Sequence, residues 1–324
     1  MTKAICIHET GGPDVLRWED VPVGKPGPFD ARIRHTAIGL NFVDTYHRSG
    51  LYPVPLPATL GSEGAGIVEE VGANVTDIKP GDRVAYGNAP LGAYAEERLI
   101  PADRLVKIPD RITDQEAASM MLKGLTAHYL LRTTYRVSKG ETVLFHAAAG
   151  GVGLIFGQWA KHLGATVIGT VGSESKAELA RARGYDHVIL YRATKFVDAV
   201  KKLTNNKGVP VIYDGVGKDT FMDGLDCLQP HGLMVSFGNA SGAVPPFNIS
   251  ILSQKGSLYL TRPTLATYVA KRDELVNAAN ELFDVVSKGI VKITVNQTYA
   301  LRDAAKAHAD LQSRKNTGST VLLP

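Results

Sequence analysis

The sequence contains few cysteines and no strongly charged segment. Its two cysteines, Cys6 and Cys227, cannot build a disulfide framework or a cysteine-rich zinc site. The 36 lysines and arginines are interspersed with 32 aspartates and glutamates, and only short clusters such as Lys201-Lys202 occur. This mixture lacks the basic stripe of a nucleic-acid-binding protein and the basic patch of a membrane-binding one. We therefore expect neither nucleic acid nor a membrane as a partner.

Long apolar segments are also lacking. No apolar run approaches the roughly 20 residues of a membrane span, and the opening MTKAICIHETGGPD lacks the apolar core of a secretory signal. We therefore expect a protein of the reducing cytoplasm. A hydrophobic share of 44% is typical of a globular chain. The length of 324 residues suffices for two domains, since single cores seldom exceed about 250–300 residues.

Two patterns divide the chain. The first part contains short β-like runs separated by turns such as GKPGPFD and KPGD, which favours an antiparallel, partly barrel-like β domain. From Glu141 onward, short apolar strands alternate with helices, the pattern of a doubly wound parallel sheet in an α/β fold. The final STVLL is strand-like and could rejoin the first domain. We predict a split β-rich domain over 1–120 and 266–324, with a dinucleotide-binding domain over 121–265.

A glycine turn opens the second pattern, in the stretch VLFHAAAGGVGLIFGQWAKHLGATVIGTVGSESK. Residues 148–153 read A-x-G-x-x-G, the dinucleotide fingerprint with alanine in place of its first glycine. Gly150 would let the backbone approach a pyrophosphate, and Gly153 would let the helix pack on the strand. An ordinary tight turn is the alternative, but the strand, helix and strand around it favour a dinucleotide site. The predicted cofactor contacts are Gly150, Gly151, Val152 and Gly153.

The position that selects the cofactor lies about 20 residues past Gly153. NAD-binding units carry an acid there for the ribose hydroxyl, whereas this chain reads Gly-Ser. Ser173 and Lys176 supply a hydroxyl and a cation, which suit a 2′-phosphate, and Tyr191 would lie beside the adenine ribose. NADPH is therefore favoured over NADH. Two alternatives remain open: Glu174 could reach the ribose, and Ser173 could cap the following helix.

Later strand ends should also face the cofactor, because ligands bind outside the carboxyl ends of parallel strands. Gly215 in YDGVG follows one such strand. Phe237, Gly238 and Asn239 in VSFGNASG follow the next one. For the glycines, simple turn formation is an adequate alternative.

At this point the residues resemble a known family. GETVLFHAAAGGVGLIFGQWAKHLGA is similar to the quinone oxidoreductase and zeta-crystallin group of the medium-chain dehydrogenase/reductase superfamily. GLNFVDTYHRSGLYPVPLPATLGSEGAGIVEEVG and VTDIKPGDRVAY resemble the first domain of the same group. The resemblance covers essentially the whole chain. It implies a GroES-like catalytic domain, a Rossmann domain, NADPH as cofactor and a homodimer.

The chain departs from the zinc alcohol dehydrogenases of that superfamily. Those relatives place a Cys-His pair where this chain has GLNF, starting at Gly39, and a histidine where it has Ser62. A tetrahedral zinc site needs cysteine or histidine ligands, and a catalytic one needs at least three protein ligands. The 9 histidines show no paired metal-ligand spacing. We predict no metal.

The resemblance also assigns residues around the reacting atoms. It places Asn41 near the nicotinamide and Tyr46 and Tyr52 around the acceptor pocket, and these three are the candidate donors to the oxygen that gains charge. The further cofactor contacts that it implies are Thr126, Tyr129, Arg262 and Asn316. Plainer alternatives exist: Asn41 could cap a turn, the tyrosines could pack, and Arg262 could form a surface ion pair.

Without zinc to polarise an alcohol or ketone, alcohol dehydrogenation is poorly supported. Hydride transfer from NADPH to an electron-poor quinone or conjugated carbonyl compound needs less assistance. We expect a zinc-independent NADPH-dependent quinone reductase. The nearest alternative is an enoyl or alkenal reductase, which uses the same hydride geometry on a carbon–carbon double bond. An NADPH-binding structural or RNA-binding protein is the alternative of another class.

Overall fold

The computed structural model describes residues 1–88, 90–313 and 317–324. Its strands are β1 (Thr2–Ile7), β2 (Arg17–Val21), β3 (Asp30–Leu40), β4 (Ala58–Thr59), β5 (Glu63–Val71), β6 (Arg83–Gly87), β7 (Glu97–Pro101), β8 (Val106–Lys107), β9 (Thr142–His146), β10 (Thr166–Val171), β11 (His187–Leu190), β12 (Val209–Asp214), β13 (Leu228–Ser236), β14 (Tyr259–Thr261), β15 (Val295–Ala300) and β16 (Ser319–Leu323). Its helices are α1 (Phe42–Ser49), α2 (Asp114–Tyr129), α3 (Gly151–His162), α4 (Glu174–Arg181), α5 (Phe196–Leu203), α6 (Phe221–Gly224), α7 (Ser250–Gln254), α8 (Leu265–Tyr268), α9 (Arg272–Ser287) and α10 (Ala304–Gln312).

The chain divides into two compact units. The first comprises Met1–Leu125, Val269–Ser287 and Ile293–Pro324, and the second comprises Thr126–Tyr268 and Lys288–Lys292. The short segment Lys288–Lys292 thus belongs to the second unit, although the sequence pattern assigned all of 266–324 to the first domain.

The first unit is built on mainly antiparallel sheets, in which only β15 and β16 pair parallel among the described strands. One sheet has the order β15-β16-β3-β5-β6-β8, with β7 also pairing β3, and a smaller sheet has the order β2-β1-β4. The strand-like STVLL forms β16, which pairs antiparallel with β3. Aliphatic and aromatic side chains, including Ile33, Ile38 and Tyr86, form the buried core of this unit.

The second unit is a six-stranded sheet in the order β11-β10-β9-β12-β13-β14, with every neighbouring pair parallel. Strands such as β10, with the sequence TVIGTV, are buried along almost their whole length, as expected for a sheet covered on both faces. Numbered along the chain, this order is 3-2-1-4-5-6, the doubly wound arrangement that binds dinucleotides where the order reverses. Here the reversal lies between β9 and β12. The predicted α/β class, a Rossmann sheet with a β-rich second domain, is confirmed.

Helix α2 shows how local sequence sets an element boundary. The Thr113 hydroxyl accepts from the Glu116 N–H at 3.2 Å, and the Glu116 carboxylate accepts from the Thr113 N–H at 2.9 Å. This reciprocal capping box satisfies two N–H groups that have no partner within a helix. Thr113 is therefore the cap, and the helix begins at Asp114. Among the described residues, none of the helices combines the length and the apolar character needed to cross a membrane.

Candidate active site

The glycine turn lies between the carboxyl end of β9 and the start of α3. Ala147 has a φ of 60°, a left-handed conformation that turns the chain sharply out of the strand. Gly150 is the N-cap of α3, with φ −79° and ψ 169°, and has no side chain to cover the helix end. Gly151 and Val152 form the first turn. The unpaired N–H groups and the dipole of a helix N-terminus suit a phosphate, and this one lies at the switch point of the sheet.

Gly153 is required by packing. A Cβ atom there would lie 2.6 Å from Ala148 O and 2.7 Å from Ala147 O, closer than carbon and oxygen tolerate. A Cβ at Gly150 would lie 3.1 Å from Ala147 O, a tight contact that a small shift relieves. The two glycines therefore differ: Gly153 is required for the helix to approach the strand, whereas at Gly150 an added Cβ would make only one tight contact.

The end of β10 leads into α4, whose N-cap is Ser173. The Ser173 hydroxyl accepts from the Lys176 N–H at 3.4 Å, so Ser173 does cap the helix, as the alternative interpretation held. The Glu174 carboxylate accepts from Arg181 at 2.8 Å, and both side chains are half exposed. The Glu174 carboxylate is thus paired with an arginine of its own helix, which argues against Glu174 as the ligand of the ribose hydroxyl.

Tyr191 lies beside the same end of β10. A Cβ at Gly172 would be 2.7 Å from the Tyr191 hydroxyl oxygen, so the tyrosine occupies the space where a side chain at 172 would project. Tyr191 is 40% exposed. The structure therefore brings Ser173, Lys176 and Tyr191 to one corner of the second unit, at the carboxyl ends of its strands.

The strands β12 and β13 leave the sheet through glycines that pack backbone against backbone. A Cβ at Gly238 would lie 2.5 Å from Gly215 O, and one at Gly215 would lie 2.9 Å from the ring of Phe237. The fully buried Asp214 accepts from the N–H groups of Val216 and Gly217 at 2.7 and 3.1 Å. Packing therefore accounts for these glycines, and Asp214, which the sequence analysis did not single out, closes the loop after β12.

Arg262 follows β14 and binds the exit of β13. Its guanidinium donates to Ser236 O at 2.8 Å, and with the Asn239 amide oriented to satisfy both neighbours, that amide accepts from Arg262 at 3.3 Å and donates to Gly238 O. Arg262 fixes the loop that carries Phe237, Gly238 and Asn239.

Thr126 and Tyr129 lie near the carboxyl end of α2. Thr126 is buried, and the Tyr129 ring stacks on Tyr268 with centroids 4.4 Å apart and planes 10° apart. Burial raises the pKa of Tyr129, with the neighbouring Tyr268 adding to the effect. A tyrosine held in this way presents an apolar face and is a poor proton donor.

In the first unit, three further predicted residues lie at helix α1 and just after it. Asn41 is its N-cap and is buried, so the turn-capping alternative is real here too. Tyr46 lies one turn further on and packs edge-to-face on Tyr52, with ring centroids 5.1 Å apart. The Tyr52 N–H donates to Tyr46 O at 3.1 Å, which holds the segment after the helix against it. The structure thus brings Asn41, Tyr46 and Tyr52 together at helix α1 and the segment that follows it.

Asn41 also belongs to a buried ionic cluster. Its side-chain nitrogen donates to Glu63 Oε2 at 2.7 Å, and Lys123 Nζ donates to the same oxygen at 3.0 Å. The Leu122 N–H donates to the other oxygen, Oε1, at 2.8 Å. Glu63 has no exposed surface and Lys123 is 6% exposed. A buried carboxylate with three donors, one of them cationic, meets the conditions under which a buried charge is tolerated.

A second buried network supports the start of α1. The Asp44 carboxylate accepts from the Asn41 N–H and from the Tyr94 hydroxyl, both at 2.8 Å. The Tyr94 oxygen lies 3.0 Å from His308 Nε2, and Arg48 donates to His308 Nδ1 at 3.2 Å. Burial raises the pKa of Asp44 to about 7, and burial beside Arg48 lowers the pKa of His308 to about 3. His308 is therefore neutral and donates from Nε2, which gives each hydrogen bond a defined direction.

The residues in place of the zinc ligands do not form a metal site. A side chain at Gly39 would overlap Glu63 and Ala118 O, and Ser62 offers only a buried hydroxyl. The Glu63 carboxylate itself is engaged by three protein donors. Over residues 1–88, 90–313 and 317–324 there is no group of three or more histidine, cysteine, aspartate or glutamate side chains arranged to hold a metal.

Sequence reasoning overlooked several of these residues. Glu63, Lys123, Tyr94 and His308 carry no local motif, and their partners lie 22 to 260 positions away in the chain. The only available signal was a glutamate inside the apolar segment GSEGAG, where a charge needs a partner. Asn316, a predicted cofactor contact, lies outside the described residues.

Together, the sheet order and the glycine turn define a dinucleotide-binding unit of the doubly wound type. Comparison with known proteins agrees. Residues 151–283 match the family model of zinc-binding dehydrogenases, and residues 27–110 match that of the alcohol dehydrogenase GroES-like domain. The quinone oxidoreductase of Pseudomonas aeruginosa is 55% identical, with both chains covered completely.

Two further relatives are informative. The crystal structure of Escherichia coli quinone oxidoreductase complexed with NADPH has a TM-score of 0.98 and 51% identity, covering 99% of this chain and 100% of that one. A 2-haloacrylate reductase from Burkholderia sp is 49% identical over 100% of this chain and 99% of its own. The chain belongs to the quinone oxidoreductase family of the medium-chain dehydrogenase/reductase superfamily, which confirms the resemblance.

Proposed function

We propose that the protein is a zinc-independent reductase that transfers hydride from NADPH to quinones. The observation that carries the proposal is the corner formed by Ser173, Lys176 and Tyr191 beside a glycine turn at the switch point of the sheet. The corner offers a hydroxyl and a cation where NAD-binding units place an acid. The NADPH complex of the E. coli relative supports the same cofactor.

The residues present fit a dinucleotide. Gly150 leaves the N-terminus of α3 uncovered, and Gly153 lets that helix approach β9, so the backbone N–H groups can bind the pyrophosphate. Lys176 and Ser173 would bind the 2′-phosphate. Arg262 and Asn239 hold the strand exit on which Phe237 and Gly238 lie. When bound, the reduced nicotinamide supplies the hydride.

A quinone is a suitable acceptor for the side chains that the first unit offers. Gly39 and Ser62 cannot bind the zinc that polarises an alcohol or ketone, so an acceptor that is already electron-poor is favoured. One quinone takes up a hydride and one proton to give the hydroquinone, while NADPH becomes NADP⁺. Tyr46 and Tyr52 are the proposed donors to the developing oxygen charge, and water can supply the proton.

The test uses the purified protein with NADPH or NADH and a benzoquinone, followed by the loss of nicotinamide absorbance. We expect turnover with NADPH and much less with NADH. A sample that binds neither nucleotide, or binds NADPH but reduces no quinone, contradicts the proposal.

A carbon–carbon double-bond reductase is the second candidate, because the 2-haloacrylate reductase is 49% identical over the full chain. Parallel assays with a benzoquinone, an enone and a 2-haloacrylate separate the two. Preference for the activated alkenes by kcat/KM would select the second candidate.

We also propose a cytoplasmic homodimer. Strand β14 is the edge of the parallel sheet and exposes Tyr259 (62%) and Leu260 (39%), an unpaired edge suited to a second copy. The two free cysteines, Cys6 and Cys227, are buried thiols that suit a reducing compartment. Light scattering of the wild type and of Leu260→Lys tests the dimer. The variant should be monomeric. If the variant is still a dimer, β14 does not form the dimer interface.

A further inference from the structure

The ring of Tyr185 lies between strand β10 and helix α3. Tyr185 precedes β11 and is only 4% exposed. A Cβ at Gly169 of β10 would lie 2.5 Å from Cδ1 of the ring, and a Cβ at Gly157 of α3 would overlap Cε2 on its other edge. One edge of the ring thus faces the strand and the opposite edge faces the helix. The ring occupies the space that these two glycines leave open.

The glycines around Tyr185 serve close packing. Glycine is unfavourable inside a helix or a strand, because it loses more backbone entropy on folding than other residues and has no side chain to pack. Gly157 nevertheless lies within α3 and Gly169 within β10. A Cβ at Gly184, which directly precedes the tyrosine, would lie 2.6 Å from Gly157 O. These glycines therefore allow the segment of Tyr185 to approach the backbone of α3.

The hydroxyl of Tyr185 reaches the first turn of α3. It donates to Gly153 O at 2.8 Å, and this hydrogen bond is buried. Burial raises the pKa of the Tyr185 hydroxyl, so the hydroxyl keeps its proton and remains a donor. A carbonyl oxygen has two lone pairs, so Gly153 O can accept from Tyr185 in addition to the helical N–H four residues further on. The tyrosine therefore holds the helix without replacing the hydrogen bonds of the helix itself.

Gly153 is thus held by contacts from two parts of the second unit. The carbonyls of Ala147 and Ala148 leave no room for a Cβ at Gly153, and Tyr185 binds the carbonyl of Gly153. Ala148 also packs on β10, since a Cβ at Gly169 would lie 2.7 Å from its methyl group. The glycine turn and the first turn of α3 are therefore packed against β10 and Tyr185 together.

The first turn of α3 offers the N–H groups of Gly151, Val152 and Gly153. The first N–H groups of a helix have no partner within the helix and can donate to a phosphate. We propose that Tyr185 is a positioning residue for NADPH, which fixes this turn through the Gly153 carbonyl so that its N–H groups meet the pyrophosphate. The inference rests on the proposed function, because the ligand is the same cofactor.

Tyr185→Phe tests the proposal, because it keeps the ring between β10 and α3 and removes only the hydroxyl. Affinities are measured by isothermal titration calorimetry without any acceptor. We expect about fivefold weaker binding of NADPH, the equivalent of roughly one hydrogen bond. Adenosine 2′-monophosphate contains the 2′-phosphate but no pyrophosphate, so its affinity should be unchanged. A tyrosine with only a structural role would not separate the two ligands.

Tyr213→Phe is the matched control. The Tyr213 hydroxyl donates to Leu130 O at 3.2 Å, so this variant also loses a buried hydrogen bond from a tyrosine to a backbone carbonyl of the second unit. Its melting temperature should fall as that of Tyr185→Phe does, but its NADPH affinity should be that of the wild type. The proposal is overturned if Tyr185→Phe binds NADPH like the wild type or loses affinity for both ligands equally. It is also overturned if Tyr213→Phe weakens NADPH binding to the same extent.

Hydrogen–deuterium exchange supplies a readout that needs no nucleotide. The Leu154 N–H donates to Gly150 O at 2.9 Å and closes the first turn of α3. In the free protein its exchange should be faster in Tyr185→Phe than in the wild type, and unchanged in Tyr213→Phe. Equal exchange in all three proteins overturns the proposal. A wild type that binds no NADPH rejects the proposed function, and faster exchange in Tyr185→Phe would then still show that Tyr185 holds the turn.

Discussion

The glycine turn of the second unit and the Glu63 cluster of the first are built in opposite ways. The turn works through missing side chains: Gly150 uncovers a helix end, and Gly153 allows two backbones to approach. The Glu63 cluster works through buried side chains that satisfy one another, with Asn41 and Lys123 on a single carboxylate oxygen.

The difference has an energetic consequence. Backbone N–H groups at a helix end are supplied by the fold and need no compensation, so the turn depends on shape. A buried ion pair depends on both partners, because either charge alone is far from water. An added side chain at the turn should therefore disturb packing or ligand binding. Removal of a charge from the Glu63 cluster should instead lower the stability of the protein.

The largest effect is expected for Lys123→Met, which keeps most of the side-chain volume and removes the cation. Glu63 would remain buried without a compensating charge, and the free energy of unfolding should fall by about 3–5 kcal/mol. Urea titration measures the change. The double variant Glu63→Gln/Lys123→Met should recover most of the loss, and equal destabilisation of the two variants would contradict a charge-compensation role.

Lys176→Ala tests the cofactor corner of the second unit. Loss of one charge-assisted contact with the 2′-phosphate should weaken NADPH binding by about 1.5–3 kcal/mol and NADH binding little. Isothermal titration with each nucleotide gives both affinities. Lys202→Ala, an exposed lysine on α5, is the matched control. Equal losses for NADPH and NADH would reject the role of Lys176.

Gly153→Ala and Gly150→Ala distinguish packing from ligand access. The added methyl group at 153 meets Ala148 O at 2.6 Å and should destabilise the second unit by about 1–3 kcal/mol. At 150 the contact is 3.1 Å, so stability should change less while NADPH binding weakens. Thermal melting and nucleotide titration of both variants provide the comparison. Equal loss of stability would show that the two glycines share one function.

The last comparison concerns the pH dependence of stability, where the effect per pH unit is small. Burial raises the pKa of Asp44 to about 7, so its contribution favours folding at low pH and is lost as the pH rises from about 4 to 7. Burial lowers the pKa of His35 and His308 to about 3, so their contribution runs the other way and is lost as the pH falls from about 6.5 to 3.

Asp44 therefore opposes the two histidines between about pH 4 and 6.5. Replacing it by asparagine, which still accepts hydrogen bonds, should steepen the rise of stability with pH by roughly 1.4 kcal/mol per pH unit. Urea titrations at several pH values measure the slope. An unchanged slope would show that Asp44 does not retain its proton in the folded protein.

The same contrast explains how much the sequence could predict. The strand, glycine turn and helix around Gly150 are contiguous, so their pattern predicted the α/β class and the strand–turn–helix order. The Thr113 cap of α2 is equally local. A sequence pattern within one segment predicts the secondary structure of that segment only.

The Glu63 cluster and the Asp44 network escaped prediction for a physical reason. Tyr94 and His308 are 214 positions apart and meet only because the chain returns to the first unit at its end. Similarly, Lys123 lies on a helix whose spacing shows which positions are apolar, but not that one cation faces a carboxylate of β5. The roles assigned to Asn41, Tyr46 and Tyr52 depended on family resemblance and stay predictions.

The central claim is that the second unit binds NADPH for hydride transfer to a quinone. The most direct measurement is the steady-state rate of NADPH oxidation by the purified protein with a benzoquinone, compared with the rate for NADH at the same concentration. We predict stoichiometric hydroquinone formation and a kcat/KM for NADPH at least tenfold above that for NADH. Binding of NADPH without quinone reduction, or equal use of both nucleotides, would contradict the account.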